Sequence, residues 1–202
     1  MLFGVLGYAQ PTVSVTSSET SPTNANPFTI TITFSEDVTG FDDESTDIIV
    51  GNGTPVALSI AGGPQVYTAE ITPTSDGTVT VDIPLNAAQA TIGGLPNTAS
   101  PQFSIDYDGT PPGISISVPS ADPTSGGPVS YTVTYSGESS ISLSDDDIVL
   151  NPTGTAVASS ATVSGSTGST RTVTIDGITG DGTLGITIAS GTASDLAGNL
   201  AP

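Results

Sequence analysis

Apolar and hydroxyl side chains alternate one for one at residues 28–34 (FTITITF) and again at 131–135 (YTVTY). A period of two sends successive side chains to opposite faces, so each run predicts a strand with one face in a core and the other in water. Similar runs occupy 12–16, 46–51, 55–60, 66–72, 78–83 and 102–107. Further along they occupy 113–118, 129–135, 147–151, 155–163, 170–176 and 183–189. Gly, Pro, Asn and Asp separate them, and strands at this spacing predict an all-β chain of sandwich type. No stretch holds a 3.6-residue period long enough for an extended amphipathic helix.

The pattern repeats. PTVSVTSSETSPTNANPFTITITF from Pro11 aligns without a gap on PGISISVPSADPTSGGPVSYTVTY from Pro112, so that Pro11, Pro22 and Pro27 fall on Pro112, Pro123 and Pro128. Downstream, Asp47-Ile48-Ile49-Val50 falls on Asp147-Ile148-Val149-Leu150, and Asp76-Gly77-Thr78-Val79 on Asp181-Gly182-Thr183-Leu184. Shifts of a few residues between these blocks belong in loops, where insertions are tolerated. The expected organisation is an apolar segment at 1–10, one repeat at 11–108, a junction at 109–112 and a second repeat at 113–202. The first repeat ends in a seventh strand, QFSIDY at 102–107, whereas the second reaches Ala201-Pro202 without an equivalent. The second sandwich is therefore expected to lack its final strand, as in a piece of a longer array or a unit that takes this strand from a neighbour. A bare inner edge of that kind invites strand addition.

Charge narrows the partners. Twenty Asp and Glu stand against one basic residue, Arg171, for a formal net charge of −19. Phosphate neutralisation needs clustered Lys and Arg, so nucleic acid is excluded as a partner, and binding to an anionic membrane surface fails on the same ground. Divalent cations and screening salt are what such a surface attracts. Without His or Cys, neither a Ser-His-Asp or Cys-His nucleophile system nor a conventional zinc site can be assembled. Paired carboxylates of a glycosidase would need aromatic sugar platforms, but there is no Trp and most Phe and Tyr alternate in core positions. The expectation is a protein that is not an enzyme.

Residues 1–10 (MLFGVLGYAQ) are apolar, too short to span a bilayer, and carry Gly7-Tyr8-Ala9 where a signal peptidase reads small residues. They read as the end of a secretory signal, without a basic leading region, or as an ordinary first strand. The first reading places the protein outside the cell, secreted or on the cell surface, with no direct membrane insertion.

Several acids are candidate calcium ligands. Asp106 and Asp108, two residues apart, share one face of an extended segment and could both reach a Ca²⁺ that draws six to eight oxygens; a rigid joint would follow. The alternative is a turn at Asp108-Gly109 with solvated acids. Within Asp145-Asp146-Asp147, alternation lets Asp145 and Asp147 share an ion, or else the last acid closes a turn, as Asp47 would after Asp42-Asp43-Glu44. Asp195 and Asn199 flank Ala197-Gly198, where Asx side chains bind nearby N–H groups, with metal ligation by Asp195 as the other reading.

Three stretches carry a family resemblance: FSEDVTGF at 34–41, YTAEITP at 67–73 and DGTVTV at 76–81. They resemble the bacterial immunoglobulin-like repeats of very large secreted adhesins, including gliding-motility and biofilm adhesins of Bacteroidota. SDLAGN at 194–199 is similar to that family's closing turn, and DYDGTPP at 106–112 to its junction between repeats. The second unit departs from the pattern at YSGES (135–139), and the first has ATIGG (90–94) in place of the closing Asp-x-x-Gly-Asn. The resemblance implies two tandem immunoglobulin-like Greek-key β-sandwiches and a structural or adhesive repeat of a long cell-surface protein, whose partners are neighbouring repeats of the same polypeptide. Two other functions stay open. One is a glycan- or protein-binding module working through the sandwich-end loops, which an exposed cluster of Phe41, Tyr67 or Tyr107 would favour. The other is a filament subunit completed by strand exchange through residues 2–9.

Overall fold

The computed structural model describes residues 8–202, so most of the apolar segment 1–10 lies outside the described residues. The chain divides into two compact units between Gly109 and Thr110. Each is a stack of antiparallel sheets, formed where the alternating runs lie.

In the first unit the strands are β1 (Val13–Ser17), β2 (Phe28–Phe34), β3 (Val38–Thr39), β4 (Ile49–Gly51), β5 (Gly53–Pro55), β6 (Ala61–Gly62), β7 (Val66–Pro73), β8 (Gly77–Asp82), β9 (Gln89–Ala90) and β10 (Phe103–Tyr107). One sheet has the order β1-β2-β7-β5, with β6 also on β7; the facing sheet runs β10-β8-β4, and β3 pairs with β9. Register follows side-chain pattern. Ile30 lies opposite Ala69 and Phe28 opposite Ile71, so the apolar faces of β2 and β7 coincide. Across the sandwich they meet Val79 and Val81 of β8, Ile105 of β10, and Ile48 and Ile83 in a single buried cluster. A slip of one residue would turn every one of these side chains to water, which is why the alternation fixes the pairing.

The second unit comprises β11 (Gly113–Ile116), β12 (Val129–Ser136), β13 (Ser140–Ile141), β14 (Ile148–Pro152), β15 (Ser160–Ser164), β16 (Thr170–Asp176), β17 (Leu184–Ile188) and β18 (Ala193–Ser194). Its sheets run β11-β12-β16-β15, β14-β17 and β13-β18. The pair common to both units keeps its register: Val50 lies opposite Val81 in β4-β8, and Leu150 opposite Ile186 in β14-β17. The core is thinner. Val133, Tyr135, Leu143, Val173, Ala193 and Ala201 are buried, while Ile148, Ile186, Ile188 and Tyr131 pack only partly against them.

The architecture is thus the all-β sandwich expected from the alternation, in the immunoglobulin-like form that the family resemblance implied. Three local expectations need correction. Residues 46–51 do not form one strand, because a short helix α1 (Glu44–Asp47) precedes β4. The run at 55–60 is mostly turn between β5 and β6, with Leu58 at positive φ and exposed. The run at 155–163 begins as turn and joins a ladder only in β15. In each case the backbone serves a connection between strands, and a connection takes precedence over local alternation when its polar groups find partners there.

Candidate functional site

The acids are the candidate site, and the fold disperses them. Asp106 sits in β10, where its carboxylate accepts a 2.6 Å hydrogen bond from the Thr78 hydroxyl on the paired strand β8. Asp108 follows the end of that strand, and its N–H donates to the Thr23 carbonyl at 2.9 Å. Just beyond, the Gly109 N–H donates to the Asp76 carboxylate at 2.7 Å.

Asp145 and Asp147 share a single 3-10 turn yet face different partners. The Asp145 carboxylate accepts from the Val163 N–H at 2.6 Å, tying the turn to β15. The Asp147 carboxylate folds back to accept from both the N–H and the hydroxyl of Ser144 at 2.8 Å. Its repeat counterpart Asp47 does the same in the first unit, accepting from the N–H groups of Asp42 and Asp43 at 3.0 Å, and is buried. The last acid of each cluster closes a turn, one of the two roles its sequence allowed.

Asp195 is also buried. One carboxylate oxygen accepts from the Asn199 N–H and the other from the Asn199 side-chain amide, each at 2.9 Å, while the Asp195 N–H donates to the Asn199 carbonyl at 3.1 Å. The pair thus locks a tight Asx-type loop. At the equivalent place the first unit manages with backbone alone: Gly94 donates to Ala90, and Ala90 to Leu95, with Gly93 and Gly94 both at positive φ. Among the described residues no three acidic side chains gather into a metal-binding group.

Two acids at the start of α1, the capping Asp43 and the first helical residue Glu44, are held below the ordinary carboxylate range by hydrogen bonds to their charged forms. For Asp43 the leading cause is the Ser45 hydroxyl, followed by the Ser45 N–H; for Glu44 it is the Ile60 N–H. A carboxyl whose pKa falls on folding stabilises the fold above its unfolded value, and the contribution is lost as pH drops through its folded value. The Ser45 and Ile60 amide resonances should therefore shift with midpoints below those of an ordinary Asp and Glu side chain. Midpoints at or above the ordinary carboxylate values would show that these bonds do not persist in solution.

The aromatic residues named as a potential binding cluster lie mostly inside. Phe41 and Tyr67 are buried and make edge-to-face contacts with Phe34 and each other, at ring-centre distances of 5.4, 5.9 and 5.1 Å. Burial raises the Tyr67 phenol above its ordinary pKa, with the Asp42 and Asp37 charges adding to the effect. Tyr107 is half-buried, and its hydroxyl accepts from the Asn26 side chain at 3.4 Å.

One structural side chain had no signal in the repeat. Asn97 is fully buried: its carbonyl accepts from the Ala88 N–H at 2.8 Å, and its amide donates to the carbonyls of Pro84 at 2.9 Å and Thr98 at 2.8 Å. By ladder position its counterpart in the second unit is the apolar Ala201, because Asn97 and Ala201 donate their N–H groups to the equivalent Ala88 and Ala193. The repeat therefore gave no pair of like residues to mark it.

Two facing antiparallel sheets, with the segments FSEDVTGF and YTAEITP both folded into their core, prompt comparison with known sandwich families. Residues 8–105 match the family model of the bacterial Ig-like domain. The match spans β1 to most of β10, nearly the whole of the first unit, and supports a bacterial Ig-like family. No curated protein and no solved structure matched the chain. Among the described residues no helix is long and apolar enough to cross a membrane.

Proposed function

We propose that the chain is a structural repeat module of a cell-surface protein, a non-enzymatic spacer or adhesive stalk that holds position and passes mechanical load between whatever lies at its two ends. The observation that carries this reading is where the chemistry is spent. Nearly every distinctive side chain serves the scaffold: Asp47, Asp147 and Asp195 close turns, Asn97 ties a loop, and Phe41 and Tyr67 fill a core. The bacterial Ig-like match of the first unit supports a surface module, and the adhesive part of the reading rests on the resemblance to adhesin repeats. Placement outside the cell follows the same reasoning, together with the peptidase-like residues at 7–9.

Pulling single molecules from their two ends tests it. Two discrete unfolding events are expected, each releasing about 30 nm of chain, because an extended residue spans about 3.3–3.6 Å and each unit holds roughly a hundred. Gradual extension at low force, without separate events, would rule out a load-transmitting role.

A further inference from the structure

The last strand of a sheet pairs with any extended chain that reaches it unless a charge, a bulge or a covering element blocks the way. Among the described residues, β5 and β6 end one sheet of the first unit beyond β7, and β15 ends the matching sheet of the second beyond β16. Twenty acids and one Arg are distributed along the chain, yet none falls within residues 48–69 or 148–170, the stretches that hold these edge strands. β15 itself reads SATVS, with Ser160, Thr162 and Ser164 exposed. An uncharged edge without Pro, built of β-branched and small residues, is a template for strand addition.

The fold brings each edge a carboxylate from elsewhere. The Val163 N–H in β15 donates to the Asp145 carboxylate at 2.6 Å, and the Ile60 N–H, just ahead of β6, donates to the Glu44 carboxylate at 3.1 Å. These two N–H groups occupy the same place in the two units. Thr31 aligns with Thr132; opposite them lie Thr68 and Thr172, and opposite those Ala61 and Ser164, each one residue after the N–H concerned. The acids also share a place, since each is the first residue of the short helical turn that leads to β4 or β14. An edge N–H faces either the neighbouring strand or the open side, and these two, bonded to carboxylates of the turn, face the open side.

We infer that Glu44 and Asp145 guard these edges: each occupies the open N–H of its sheet and so keeps a second copy of the chain from adding a strand there. The bound carboxylate removes the donor that an incoming strand needs. It also sets a negative charge where that strand's carbonyl oxygen would arrive. Range decides which charges matter, because paired strands lie about 4.7–4.9 Å apart, inside the screening length of about 8 Å at physiological salt. A carboxylate at the edge therefore acts on an incoming strand, while acids elsewhere on the surface are largely screened from it. The net charge of −19 does not replace the guard, since the edge stretches themselves are uncharged. The inference holds whether or not the chain acts as a stalk.

The test sediments the intact chain and its Glu44→Ala, Asp145→Ala and Asp145→Asn variants over a range of concentrations at physiological salt, with amide hydrogen exchange followed residue by residue. Self-association is expected to strengthen by an order of magnitude or more in the two Ala variants. Rising concentration should then slow exchange at residues 160–164 in Asp145→Ala and at 59–62 in Glu44→Ala. Asp145→Asn keeps an acceptor for Val163 but loses the charge, so it should fall between parent and Asp145→Ala. Adding Val163→Pro to Asp145→Ala removes the open donor and should restore the parent's behaviour. Ala variants that sediment like the parent at every concentration, or that associate with protection at β1 or β11 instead, would overturn the inference. So would loss of protection throughout β12 and β16 in both Asp145 variants, which would assign that carboxylate to holding the fold.

Discussion

Replacing Phe34 by Ala should cost the first unit about 3–5 kcal/mol, the range for removing a large buried aromatic side chain. Phe34 is 0 % exposed and sits at the end of β2, where its ring meets Phe41 and Tyr67 edge to face. Each such contact adds about 0.5–1.5 kcal/mol beyond burial, and both are lost with the ring. A domain of this size is commonly stable by about 5–15 kcal/mol, so the change removes a large share of what holds it. There is no disulfide to compensate, because the chain has no Cys. Denaturation followed by residue-resolved hydrogen exchange separates the two units. Amides of β2, β7 and β8 should lose protection while those of β12 and β16 keep theirs. A loss under about 1 kcal/mol would mean that the aromatic trio is not packed as described.

The second large effect concerns a polar group. Asn97→Ala would leave the Ala88 N–H and the carbonyls of Pro84 and Thr98 without the partner they now have, the first in a buried position and the other two in partly buried ones. Each buried group left unsatisfied costs about 1–3 kcal/mol, so a loss of about 3 kcal/mol or more is expected. Asn97→Asp separates hydrogen bonding from shape. It keeps an acceptor for Ala88 but turns a charge toward two carbonyls, so burial raises the new carboxyl's pKa above its unfolded value. Relative to the parent protein, that variant is penalised above its folded pKa and recovers as pH falls through it. Thermal melts of parent and variant from pH 7 to pH 3 should converge toward the acid end. A constant difference across that range would show that Asn97 acts by filling space.

These two positions also mark how far the chain could be read before it was folded. The alternation that makes Phe34 inward is explicit in FTITITF, since a strand sets side-chain direction residue by residue. Asn97 lies in a loop, where direction is set by whatever the backbone meets, and no periodicity applies. The acids fall between these cases. Asp47 and Asp147 were legible as turn-closing residues because a carboxylate three to five residues from free N–H groups finds them locally. Asp145 was not, since its partner Val163 lies eighteen residues away in β15. The proposal that Asp106, Asp108, Asp145, Asp147 and Asp195 bind calcium meets a specific arrangement: Asp106, Asp145, Asp147 and Asp195 each spend at least one oxygen on a protein donor.

By itself the sequence determined the all-β class, the inward and outward faces of the main strands, the equivalence of the two repeats and the absence of His and Cys chemistry. All of these follow from residue type, period and self-alignment, which are properties of the chain before it folds. Only the tertiary structure decided that Phe41 and Tyr67 are core residues, that 55–60 is largely turn and that Asn97 is the pin of a buried loop. Each of those depends on which distant segment arrives to meet a group, and no local period records that.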